Sequence, residues 1–173
     1  MLVTGGNRGI GRAIAEAFVA QGDRVAVTTR NGGAPDGTLD VRCDVTDAEQ
    51  VEAAFAQVDE AHGPVEVLVA NAGITKDTLL LRMSEEDWSS VIDTNLTGAY
   101  RLTKRAAKGM LRLRRGRIIL ISSVVAVTGS AGSSAVMSVS TQPGVTTLVV
   151  IEREPSSRAR ERAMPISPAL DAA

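Results

Sequence analysis

From Met1 to Ile121, short runs rich in β-branched residues alternate with longer segments of helical period. This alternation is the pattern of a parallel sheet joined by crossover helices. Residues 1–4 read as a first strand. Residues 9–21 read as a helix with Ile10, Ala13, Ile14, Ala17 and Phe18 on one face, ended by Gly22. Residues 24–29 form a second strand, 31–37 a Gly/Pro-rich loop and 39–43 a short third strand. Thr46 and Glu49 have the spacing of a capping box for a helix running to Ala61, with Val51, Ala54, Phe55 and Val58 facing the core. A fourth strand follows at residues 65–70. Ser84 caps an interrupted helical region over 85–112, and residues 117–121 give a fifth strand. Right-handed crossovers on both faces predict the spatial order 3-2-1-4-5, with the sheet truncated on its C-terminal side.

Beyond Gly129 this grammar stops. Residues 130–140 are small and polar, and residues 152–173 are rich in Arg, Pro and Ser with no sustained period, so the last stretch is expected to be disordered. Residues 145–151 have strong β propensity but follow a Pro-Gly pair that also suits a helix start, so their type stays open. The organisation expected is one nucleotide-binding domain over residues 1–132 and a divergent tail over 133–173.

Composition narrows the chemistry. Apolar residues make up 44% of the 173, enough for a sizeable core. Nineteen basic and 20 acidic side chains leave a net charge of −1, which gives no footprint for nucleic acid or an anionic membrane. Cys43 is the only cysteine, so neither an internal disulfide nor a multi-cysteine metal site is expected. His62, the only histidine, sits before Gly63 at a helix end, which argues against a Ser-His-Asp hydrolase. No run approaches the roughly 20 apolar residues that span a bilayer, and the N-terminus has no leader pattern. The expectation is a cytoplasmic protein without metal, nucleic-acid or membrane partners.

The segment Thr4-Gly5-Gly6-Asn7-Arg8-Gly9-Ile10-Gly11 joins the first strand to the first helix. Its glycines permit a sharp turn and let main-chain amides approach a pyrophosphate at the helix N-terminus. After the second strand stands Thr28-Thr29-Arg30, where an NAD-binding protein carries a carboxylate for the ribose 2′-hydroxyl. Arg30 and Arg8 suit a 2′-phosphate instead, so NADPH is the expected cofactor.

The spacing T-G-x-x-x-G-x-G resembles that of the short-chain dehydrogenase/reductase family, and further segments agree in order. Cys43-Asp44-Val45-Thr46 is similar to the family's adenine-contacting turn, and Asn71-Ala72-Gly73 to its N-A-G turn. Asn95-Leu96-Thr97-Gly98 resembles the segment carrying the family's structural and catalytic asparagine, and Ile121-Ser122-Ser123 the strand end bearing its catalytic serine. The resemblance covers residues 1–132 and is strongest to bacterial 3-oxoacyl-acyl-carrier-protein reductases. It implies cofactor contacts from Gly5, Asn7, Arg8, Gly9, Ile10, Gly11, Arg30, Asp44, Val45, Asn71, Ala72 and Gly73, with Asn95 and Ser123 in catalysis. It further implies an acyl-thioester or other small carbonyl substrate. A homo-oligomer is expected through the helical stretch 88–110, which holds Trp88 and Met110.

One part of the pattern is broken. In the family a tyrosine about a dozen residues after the serine gives a proton to the carbonyl, and a lysine four residues later tunes it. Those positions fall near Val136 and Ser140, and neither Tyr nor Lys occurs after Lys108. Tyr100 and Lys104 spell Y-x-x-x-K but precede Ser123 and read as ordinary helix residues. The change of composition after Gly132 is what a reading-frame change would produce. Two readings result: a catalytically impaired NADPH-dependent reductase, or a degenerate or frameshifted relative that binds nucleotide without turnover. In either, the edge of the fifth strand is expected to lack cover.

Overall fold

The computed structural model describes residues 1–123 and 146–152. Strands β1 (Leu2–Thr4), β2 (Ala26–Thr29), β3 (Leu39–Arg42), β4 (Val67–Ala70), β5 (Arg117–Ser123) and β6 (Thr146–Glu152) form one sheet in the order β3-β2-β1-β4-β5-β6. Every pairing is parallel, so the expected order 3-2-1-4-5 is present and a sixth strand extends it. The crossovers are α1 (Gly9–Ala20), α2 (Ala48–His62) and the composite α3 (Glu85–Val91) and α4 (Gly98–Leu113). The interruption expected in that last region is a π-helical turn, Ile92–Thr97.

Strands buried on both faces read as unbroken apolar runs, and consecutive residues point to opposite faces. Leu2 and Leu68 therefore join Val41, Phe55, Val58, Leu102, Met110 and Ile118 in the core under α2 and α4. Val3, Val27 and Val69 turn the other way and pack with Ala15 beneath α1. Arg105 of α4 fastens the first of these layers: its guanidinium lies 4.9 Å from the Phe55 ring centre and donates to Glu52 and Asp59 of α2.

Two expectations are corrected. The N-cap of α2 is Asp47 and not Thr46: the Asp47 carboxylate accepts from the amides of Glu49 and Gln50, at 2.9 and 3.1 Å. Thr46 turns back to Asp44, donating through both its amide and its hydroxyl. A carboxylate takes the cap because it accepts more strongly and complements the helix dipole. The edge of β5 is also not bare, since β6 pairs along it from Arg117 opposite Thr146 to Ser123 opposite Glu152. Within the segment of open type, residues 146–151 are thus strand, as their β-branched composition allows. The boundary at 132 and most of the expected tail lie outside the described residues.

At the end of α2, His62 is followed by Gly63 with φ 81°. Its ring Nδ1 is buried without a hydrogen-bond partner among the described residues, and burial, the Met1 ammonium and Arg24 push its pKa down. It stands at the N-terminal edge of the sheet, away from the strand ends described next.

Candidate functional site

At the C-terminal ends of the strands a cleft of about 370 Å³ opens over the turn between β1 and α1. The turn is shaped by Gly5 (φ 64°), whose amide donates to the Thr28 carbonyl at 2.9 Å, and by Gly9 (φ 54°). An L-residue with a side chain is strained at such angles. Helix α1 starts at Gly9, with Arg8 as an extended N-cap that gives no side-chain cap, and its first main-chain bond is Arg12 N–H to Arg8 O. Gly9, Ile10 and Gly11 therefore present amides that the helix itself does not satisfy, at its positive end. Gly5, Asn7, Arg8, Gly9 and Ile10 line the cleft. Gly11 lies buried beneath them, where a Cβ would collide with the Asn71 side-chain amide and sit 2.7 Å from the Gly5 carbonyl.

The floor comes from the ends of β1 and β4. Thr4 is fully buried and its hydroxyl accepts from the amides of Asn71 and Ala72, both at 3.0 Å. Asn71 Nδ2 donates in return to the Thr4 carbonyl at 2.9 Å and to that of Gly5 at 3.3 Å. Asn71, Ala72 and Gly73 line the cleft on this side. Asn95, in the π-helical turn, clamps the next residue from both directions: its Oδ1 accepts from the Ile74 amide and its Nδ2 donates to the Ile74 carbonyl, each at 2.9 Å.

The far wall holds Thr28, Thr29 and Arg30 from the end of β2, and Cys43, Asp44 and Val45 after β3. The Thr29 hydroxyl accepts from the Gly32 amide and donates to Asp40, which fixes the loop. Asp44 Oδ1 accepts from Thr46, and the Asp44 amide donates to Gln50 Oε1. Burial, with Asp44 and Asp47 nearby, pushes the Cys43 thiol up to about 11, so it is protonated and unreactive near neutrality. Among the described residues no cluster of His, Cys, Asp or Glu could hold a metal ion.

The cleft thus gathers Gly5, Asn7, Arg8, Gly9, Ile10, Arg30, Asp44, Val45, Asn71, Ala72 and Gly73, with Gly11 as packing beneath. Asn95 is not among the described lining residues and reaches the site through Ile74. Ser123 ends β5 at the same edge of the sheet, beyond the cleft. Tyr100 and Lys104 do share a helix face, with the ammonium 5.7 Å from the ring centre, but Tyr100 is exposed on α4 and neither lines the cleft. Ile74 and Thr94 line it without having been singled out in the sequence. Their only signal is adjacency to Gly73 and Asn95.

Known proteins resemble this chain over most of its length. A family model described as short chain dehydrogenase matches residues 1–138. The 3-oxoacyl-acyl-carrier-protein reductase MabA of Mycobacterium avium is 58% identical over 129 residues, covering 75% of this chain and 51% of the relative. MabA of Mycobacterium tuberculosis strain H37Rv is 56% identical over 124 residues, covering 72% and 50%. The reductase FabG of Vibrio harveyi is 44% identical over 141 residues, covering 77% and 58%. The chain spans about half the length of these relatives.

Proposed function

Because the chain belongs to the short-chain dehydrogenase family, we propose that it is an NADPH-binding relative of the 3-oxoacyl-acyl-carrier-protein reductases whose carbonyl reduction is impaired. The observation that carries the nucleotide reading is the start of α1, which has no side-chain cap, opens on Gly9 with free space around it, and is seated on the turn through Gly11, where a Cβ would meet Asn71 and the Gly5 carbonyl. That is what a pyrophosphate needs: free amides, a positive helix end and close backbone approach. The residues fit the cofactor. The turn from Gly5 to Gly11 would hold the pyrophosphate, Asp44 and Val45 would face the adenine, and Arg8 and Arg30 would take the 2′-phosphate.

Bound reduced nicotinamide supplies a hydride. The protein's own part is to orient a carbonyl and give its oxygen a proton. Ser123 is the residue proposed to polarise that oxygen, and Asn95 holds Ile74 and with it the floor below. The proton donor is what the chain lacks, since Val136 and Ser140 carry neither a phenol nor an amine. This absence supports the second reading, nucleotide binding without turnover. If a reading-frame change after Gly132 is its origin, another frame of the encoding DNA contains Tyr-x-x-x-Lys.

The substrate proposed is a 3-oxoacyl thioester or similar small carbonyl compound. No helix among the described residues is long and apolar enough to cross a membrane, and a cytoplasmic location is proposed with that function. A second copy of the chain is the proposed partner of the helical stretch 88–110, on which Trp88, Leu96 and Tyr100 are exposed and Met110 is buried.

Titrating the 173-residue protein with NADPH and NADH tests the reading. The expected result is tighter NADPH binding by at least about tenfold, reversed toward NADH by Arg30→Asp, which puts a repulsive carboxylate where a phosphate partner stood. Equal or tighter binding of NADH by the unmodified protein overturns the charge argument.

A further inference from the structure

Arg42 is the last residue of β3 and belongs to none of the sequence motifs. Its Nη1 donates to the main-chain carbonyl of Arg30 at 2.9 Å, tying the end of β3 to the end of β2. Arg42 and Arg30 line one shallow cavity together with Asn31, Cys43, Asp44 and Gln50. Four of those residues, Arg30, Asn31, Cys43 and Asp44, also line the main cleft, so the shallow cavity continues it past the end of β2.

Asp44 places a carboxylate in the same cavity, and Asp40 lies two residues before Arg42 on β3. Asp44 directs Oδ1 to the amide and hydroxyl of Thr46, and Asp40 directs Oδ1 to the hydroxyl of Thr29. Arg30 and Arg42 bring two guanidinium groups to one cavity, and among the described residues neither lies within ion-pair distance of a carboxylate, so both keep donors for an incoming anion. A planar fork that spends one N–H on a carbonyl keeps donors for phosphate oxygens.

We infer that Arg42 is a further specificity-determining arginine, beside Arg8 and Arg30, for the phosphate monoester on the adenosine ribose. It contributes charge directly and holds the backbone of Arg30 in place. This rests on the NADPH reading above, and it adds a residue that the glycine loop and the strand-end arginine do not contain.

The test uses the full chain and compares unmodified protein, Arg42→Gln and Arg42→Lys in titrations with NADPH and with NADH. Loss of one charge-assisted contact should weaken NADPH about tenfold or more in Arg42→Gln while NADH binding changes less than about twofold. Arg42→Lys should fall between, because it keeps the charge and loses the fork. Unchanged NADPH affinity in Arg42→Gln overturns the inference, and so does an equal loss for both nucleotides, which marks a structural role only. NADH binding serves as the check on folding. If Arg42→Gln fails that check, NADPH affinity of Arg42→Lys equal to that of the unmodified protein overturns the inference, and a selective loss supports it. Should the unmodified protein not prefer NADPH, the parent reading fails with it, and this is seen before any variant is made.

Discussion

Thr4 and Asn71, 67 residues apart, close a reciprocal pair of hydrogen bonds: the Asn71 amide donates to the Thr4 hydroxyl at 3.0 Å, and Asn71 Nδ2 donates to the Thr4 carbonyl at 2.9 Å. The pair welds the turn after β1 to the turn after β4. Thr4 is fully buried, so replacing it with Val keeps the shape but leaves the amides of Asn71 and Ala72 without their acceptor. Such orphaned donors cost about 1–3 kcal/mol. Thr4→Val should lower the unfolding free energy by about 2 kcal/mol in urea melts, and Thr4→Ser should restore most of it. A Thr4→Val protein as stable as the unmodified one would show that water replaces the hydroxyl.

Gly11→Ala places a methyl group against the Asn71 amide and 2.7 Å from the Gly5 carbonyl. Neither neighbour yields easily, since both are held in the weld just described. The glycine turn must open, and nucleotide affinity should drop at least about tenfold, a loss of roughly 1.4 kcal/mol. Gly109→Ala, where a Cβ meets nothing within 4 Å, is the control and should bind normally. Fluorescence titration with NADPH reads both, and equal affinities would contradict the close approach.

Carbonyl reduction should stay near background. Positioned acid-base groups contribute about 10²- to 10⁴-fold, so losing the tyrosine alone raises the barrier by roughly 3–5 kcal/mol. NADPH oxidation with a short 3-oxoacyl thioester should therefore be slow, and Tyr100→Phe should leave it unchanged. Tyr100 stands exposed on α4, outside the cleft. Robust turnover abolished by Tyr100→Phe would make Tyr100 and Lys104 the working pair.

Cys43 links stability to alkaline pH. Its thiol rises from 9.0 to about 11 on folding, chiefly through burial and then through Asp44 and Asp47. The folded state holds the proton more tightly, so this contribution is complete below about pH 9 and is lost as pH rises toward about 11. Relative to Cys43→Ala, the unmodified protein should lose stability across that window. Denaturant melts of both proteins measure the difference, and a constant gap would acquit the thiol.

The order of the sheet and the place of the glycine turn were legible in the chain because both are local or nearly so. Apolar runs at strand spacing and apolar faces at helical spacing alternate, and crossover handedness then leaves few topologies for β1 to β5. The turn from Thr4 to Gly11 could be read because its φ angles demand glycine at Gly5 and Gly9. The cap of α2 was misplaced by one residue because Thr46 and Asp47 both suit the position, and only the bond from Thr46 to Asp44 removes Thr46 from contention. Residues 145–151 were ambiguous alone, and Thr146–Glu152 becomes a strand by pairing with β5. The remaining decisions belong to the fold: Thr4 meets Asn71, Asn95 grips Ile74, and Arg42 reaches Arg30. Each joins ends of different elements, so it depends on strand register and helix placement, which no local pattern encodes.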